Sequence, residues 1–211
     1  MKIDMPRVSM DLPERNFHDI FYEEDRELEQ CSITDSLFEN EAVDRARLYQ
    51  MVIKNSRFTD TDFENIDITD VCFENCDFSN ANLCKSSIHR VTFTNCKLLG
   101  ANFTESRFGN VQFVNSVLSL SEFGESKLEK VVFHETLLKG ADFYQCKLKN
   151  VEFQDCNIDG ANFDHTSLKG IDISSSSFET LTVAITDLKG CKVSSYQAIQ
   201  FASLLGLVIK D

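Results

Sequence analysis

Residues 91–116 read VTFTNCKLLGANFTESRFGNVQFVNS, and in them an apolar residue returns at every fifth position: Phe93, Leu98, Phe103, Phe108 and Phe113. The beat runs outward in both directions without a slip. From Ile33 to Val193, 33 consecutive pentads carry Phe, Leu, Ile or Val at their centre, and 15 of the 18 Phe of the chain lie there. A period of five fits neither a helix at 3.6 residues nor a strand at 2. It requires a chain that turns a corner every five residues, and fixed self-similarity of this kind marks a solenoid.

Two residues before each centre, 28 of the 33 positions hold Ala, Cys, Ser, Thr or Val, so a large and a small residue share the inner side of each extended segment. That pairing fills a narrow tube without clash. A second period lies above the first. Val71, Val91, Val111, Val131 and Val151 recur every 20 residues, as do Phe73, Phe93, Phe113, Phe133 and Phe153. Four pentads therefore make one coil with four faces, and a three-sided coil of hexapeptides, which would repeat at 18, is excluded. The corner positions are rich in Asn and Gly, among them Asn65, Asn75, Asn95, Gly100 and Gly140, which tolerate the positive φ of a type II turn. The reading is an all-β solenoid, a quadrilateral β-helix. About eight coils rising ~4.8 Å each give a rod of roughly 40 Å.

The chain divides into an N-terminal cap (residues 1–27), the β-helix (28–193) and a C-terminal helix and tail (194–211). Phe17, Ile20 and Phe21 are placed to plug the first coil, since a solenoid end exposes unpaired strand edges. Residues 41–54 keep the register but lose the small residues, and they also read as helix. At the far end Ser194 or Ser195 can cap a helix over residues 196–205, with Gly206 beyond it. Tyr196, Ile199, Phe201, Leu205 and Leu207 make this end too apolar for a free surface. They are the predicted contact between two copies of the chain, with a simple cap as the other reading.

The net charge of −13 argues against a binder of nucleic acid or anionic membranes, since those need basic patches. No stretch reaches the ~18 apolar residues of a membrane span, and the N-terminus lacks the apolar core of a secretory signal. The expectation is a cytoplasmic protein whose eight Cys are reduced. Six of these Cys sit at inward positions as small core residues. Cys72 and Cys76 have no partner pair and do not read as a zinc site. His18, His89, His134 and His165 meet no nucleophile, and the glycines are turn residues rather than a phosphate loop. The sequence predicts no catalytic residue, no metal and no cofactor, hence no enzyme.

The surface carries more information. Stacking at 20 residues puts Asp62, Asn82, Asn102, Glu122, Asp142 and Asn162 in one outward column, and Glu152 and Asp172 in another. The first fifty residues hold 13 acids against 6 bases. Carboxylates at coil intervals along a narrow rod parallel the charge layout of a duplex, with phosphates every ~3.4 Å per strand.

The repeats Ala101-Asn-Phe-Thr-Glu, Ala141-Asp-Phe-Tyr-Gln and Ala161-Asn-Phe-Asp-His match the A(D/N)LXX signature, and residues 31–193 resemble the pentapeptide-repeat family. The resemblance implies a right-handed quadrilateral β-helix. The tail LKGCKVSSYQAIQFASLLGLVI, residues 188–209, looks like the end of the Qnr-type quinolone-resistance proteins, including relatives from Gram-positive bacteria. That subgroup implies a tail-to-tail homodimer that mimics duplex DNA, binds DNA gyrase and topoisomerase IV, and protects them from quinolones. Asp62, Glu122, Asp142, Glu152 and Asp172 are then the candidate contacts. The unbroken register leaves no room for the loops that many Qnr proteins carry, so the chain is similar to loopless members. The alternative is a non-catalytic scaffold or immunity-type protein that binds another protein or a peptide toxin.

Overall fold

The structure, a computed structural model, describes residues 2–202 and 206–210. Two short strands, β1 (Glu27–Glu29) and β2 (Ser32–Thr34), open the body. Six longer ones follow: β3 (Arg47–Lys54), β4 (Asp67–Glu74), β5 (Ser87–Thr94), β6 (Arg107–Val114), β7 (Lys127–His134) and β8 (Lys147–Gln154). All lie parallel in one sheet in chain order. Each pairing steps by 20 residues, as in Phe73 to Phe93 to Phe113. Each long strand bends across two sides of the coil. On the other two sides single bridges stack at the same step, from Ala42 to Asp62 to Asn82 and onward to Asn162 and Thr182. The period of 20 thus yields a four-sided parallel β-solenoid, with six coils carrying the full strand. Residues 41–54, where helix competed, contain β3; pairing with β1, β2 and β4 satisfies their backbone groups as an isolated helix in this stack could not.

Stacked rings hold the interior. Phe93 lies 5.0 Å from Phe113 with planes 7° apart, and Phe123 lies 4.8 Å from Phe143 at 3°. The two ladders meet edge to face, with Phe133 and Phe143 at 83° and 6.0 Å, a favoured aromatic geometry. The small residues do more than leave space. Ser106 Oγ donates to the Leu83 carbonyl at 3.0 Å and accepts from the Ser86 amide at 2.9 Å. Ser126 repeats this one coil on, donating to Phe103 O at 2.8 Å. Cys146 Sγ takes the equivalent place beneath Phe123 O at 3.0 Å. The inward row therefore satisfies buried backbone groups that the corners leave unpaired. Burial pushes the Cys146 thiol up to about 12, and those of Cys31 and Cys156 up to about 11.

The corners impose positive φ on whatever residue occurs there, including Arg45 (56°), Lys85 (57°) and Leu120 (60°). Among the described residues none of these left-handed corners is β-branched, the side-chain shape that tolerates this region least. At Ser175, Thr180 and Ile185 the left-handed corners lapse, to return at Gly190, and a 3-10 helix, Ile185–Leu188, replaces one. The last coil is irregular for this reason, although its apolar centres keep their spacing.

At the N-terminal end Asn16 caps a 3-10 helix, Phe17–Phe21, which sets Phe17 against Phe38, Phe58 and Phe63 at 4.7, 4.8 and 5.9 Å. The residues before it form an extended arm along the rod. The Arg15 amide bonds Ser32 O at 2.9 Å, the Arg7 amide bonds Asp70 Oδ1 at 3.0 Å, and the Asp4 amide bonds Asn110 Oδ1 at 3.1 Å. Nothing in the periodicity predicts this arm.

At the other end α1 (Ser195–Ala202) closes the last coil. Ser194 and Gln197 form a reciprocal cap: the Gln197 amide donates to Ser194 Oγ at 3.2 Å and the Ser194 amide to Gln197 Oε1 at 2.8 Å. The buried Gln197 side chain also donates to Ile173 O and Ser176 O at 2.8 and 2.7 Å. Among the described residues no helix is long and apolar enough to cross a membrane.

Candidate protein-binding surface

The predicted acidic column is present on one side of the rod. Asp62, Asn82, Asn102, Glu122, Asp142 and Asn162 are consecutive bridge partners. The Asn residues act as ladder amides. Asn82 Nδ2 donates to Asp62 Oδ1 at 2.8 Å, and Asn162 Nδ2 to Asp142 Oδ1 at 2.8 Å. Each aspartate also accepts the amide two residues on, from Glu64 at 3.1 Å and Tyr144 at 3.0 Å. Local turn geometry and the rung above thus fix the carboxylates in place.

Glu64 and Asp164 stand two residues further along the same face, and Glu105 and Glu125 occupy its corner, both exposed. Column-by-column reading passed over these four, although Glu105 and Glu125 repeat at the same step of 20. The only Lys or Arg at these positions, Arg45 and Lys85, lie beside Asp44 and Glu64 at 3.6 and 2.8 Å.

Glu152 and Asp172 do not continue as rung neighbours. β8 is the last strand of the sheet, because the next corner, at Gly170, adopts a different turn. The two carboxylates line a groove of about 420 Å³ that also holds Gln154, Ser174 and Lys192. Gln154 Nε2 donates to Glu152 at 2.6 Å. The Ser174 hydroxyl and amide, at 2.6 and 3.0 Å, hold the Asp172 carboxyl below the usual carboxylate range.

The predicted dimer contacts divide. Tyr196, Ile199 and Leu207 are 70%, 52% and 59% exposed, and Ile185 of the last coil and Val208 and Ile209 of the tail are exposed as well. Phe201 is half-buried on its own last coil, 5.3 Å from Phe178. It also lines an apolar hollow of about 260 Å³ with Ile185, Leu188, Cys191 and Val193. Leu205 lies outside the described residues. Among the described residues no cluster of His, Cys, Asp and Glu has the form of a metal site.

Comparison with known proteins places this geometry. Family models for a pentapeptide repeat region and for eight copies of the pentapeptide repeat match residues 86–163 and 61–98. No curated protein sequence matches. Among solved structures, the pentapeptide repeat protein HetL, involved in heterocyst differentiation regulation in the cyanobacterium Nostoc sp. strain PCC 7120, is 13% identical with a TM-score of 0.64. The match covers 79% of this chain and 84% of that one. The plasmid-mediated fluoroquinolone resistance protein QnrB1, in a trypsin-treated variant form, is 22% identical with a TM-score of 0.56 over 88% of this chain and 92% of that one. At such identities the likeness is one of fold. The repeat models place residues 61–163 in the pentapeptide-repeat family, and the stacked four-sided coils carry the same repeat fold on either side of them.

Proposed function

We propose that the protein is a non-catalytic DNA mimic that binds DNA gyrase, and topoisomerase IV as a second target, and lowers their sensitivity to quinolones. The observation that carries this reading is the acidic side of the rod, where Asp62, Glu105, Glu122, Glu125 and Asp142 repeat at coil intervals. Such a surface complements a basic DNA-binding groove, and the attraction weakens as salt screens it. The resemblance of the tail to Qnr-type proteins supports the same partner. Two copies joined through Tyr196, Ile199 and Leu207 would double the rod and present two acidic faces. With no inserted loop in the coils, the contact falls to the faces themselves.

Gyrase supercoiling, assayed over a titration of the protein with and without a quinolone, tests the reading. The expected result is restored supercoiling in the presence of drug, lost on Glu122→Lys with Asp142→Lys. Supercoiling unchanged at every concentration, with and without drug, would reject it.

A further inference from the structure

We infer that the side of the rod adjoining the acidic one binds the sugar–phosphate backbone of duplex DNA. Many cations in this molecule are spent on carboxylates one coil away. Lys54 meets Glu74 at 2.7 Å, Lys97 meets Asp77 at 3.4 Å and Lys149 meets Glu129 at 2.6 Å. Arg107, Lys127 and Lys147 are arranged otherwise. They are direct rung neighbours at the start of β6, β7 and β8, all exposed. On the next two coils the file's own positions pass to Ser167 and Asp187, and Lys169 and Lys189, two residues on in the neighbouring column, supply the exposed cations. Among the described residues none of the five has a carboxylate within ion-pair distance, while Glu129 beside them is held by Lys149 and Lys130 is turned to Asp4 at 3.6 Å.

Like charges directly opposite on neighbouring strands destabilise a sheet. In a chain with 34 acids and 21 bases, partners for these cations were plentiful. Unpaired cations on five successive coils of one side, outnumbering the single carboxylate Asp187 in their file, are relieved by a polyanion of similar pitch. At a rise of ~4.8 Å the line extends roughly 20 Å, and one strand of duplex presents a phosphate about every 3.4 Å. The outward residues of this side, such as Gly109 and Asn150, include no aromatic ring over these coils that could stack on a base. The 3-10 helix on this side, Ile185–Leu188, is four residues long and too short to read a groove. The chemistry is therefore phosphate contact without sequence preference. Glu105 and Glu125 sit two residues before Arg107 and Lys127, so the attraction is strongest toward Lys147, Lys169 and Lys189. The net charge of −13 argued against nucleic acid, but it averages over faces; at a Debye length of about 10 Å a contact responds to the nearby charges.

The inference stands independently of the topoisomerase reading, since it needs only protein and DNA. Fluorescence anisotropy of a short labelled duplex of arbitrary sequence, at low salt, provides the test. Binding is expected, with log K falling against log salt at a slope of about −3 to −4, near −0.9 per phosphate neutralised. Lys147→Glu with Lys169→Glu should weaken it by about tenfold or more and reduce the slope by about two. Lys139→Glu, on the far side and beside Asp159, should leave it unchanged. Circular dichroism of each variant controls for folding. No binding at low salt, or equal loss in the Lys139 variant, overturns the inference. So does a charge reversal that alters only sedimentation of the protein alone, which would assign the line to the acidic side of a second copy.

Discussion

Asp70 and Arg90, one coil apart, meet in a two-point ion pair, with Nε to Oδ1 at 2.6 Å and Nη2 to Oδ2 at 2.7 Å. The Asp70 side chain is only 2% exposed, because the N-terminal arm lies over it and the Arg7 amide donates to Oδ1 at 3.0 Å. The pair therefore joins two coils to a segment far away in sequence.

Removing one partner leaves the other charge buried and unpaired. Arg90→Ala is expected to cost about 2–3 kcal/mol, toward the low side for a buried pair because the guanidinium keeps some solvent contact. Chemical denaturation measures the loss. Limited proteolysis should show earlier cleavage within residues 2–15, with the coils intact.

The same site sets a response to acid. Burial pushes the Asp70 carboxyl up, but hydrogen bonds from Arg90 and the Arg7 amide outweigh it and hold the group below its ordinary value. A carboxylate whose pKa is lowered on folding contributes stability that is fully present above its unfolded value of about 3.9 and is lost as pH falls through the folded one. The arm should stay docked at neutral pH and become protease-sensitive in acid. Asp70→Asn should be less stable at neutral pH and lose less on acidification, which denaturant midpoints across the acid range would show.

In the core, Phe113 stacks between Phe93 and Phe133 at 5.0 and 5.1 Å. Phe113→Ala removes a ring from the middle of a ladder that cannot collapse around the gap. The expected cost is about 3–5 kcal/mol. A solenoid distributes stability over neighbouring coils, so hydrogen exchange should rise most in β5, β6 and β7 rather than uniformly.

For the tail, Phe201 is a poor probe of the proposed dimer, because it packs on Phe178 within its own chain. Ile199 is half exposed on α1 and is the better choice. Light scattering should give the mass of two chains for the parent and of one for Ile199→Asp, with unchanged circular dichroism. A parent of one-chain mass would remove the dimer from the proposal.

The shape of the body was legible because each coil repeats the same physical problem. Large Phe and small Val, Ser or Cys at fixed offsets describe a filled tube, and the step of 20 counts its sides. The acidic column was legible for the same reason, since Asp62, Glu122 and Asp142 share one phase. The pairing of Glu152 with Asp172 was misread. Apolar spacing continues through residues 168–193, but the left-handed corners lapse at Ser175, Thr180 and Ile185, and the sheet ends at β8. Spacing alone does not report whether a corner can form.

By itself, then, the sequence determined what is periodic: four sides, a stacked aromatic core, inward thiols and one acidic face. Each follows from a local rule applied every five or twenty residues. The tertiary structure decided what is not periodic. It laid the N-terminal arm across the coils onto Asp70 and Asn110, turned Phe201 inward while leaving Ile199 outward, and left Arg107, Lys127 and Lys147 in file without partners. These depend on which distant side chains come within a few ångströms of one another, and no repeat carries that information.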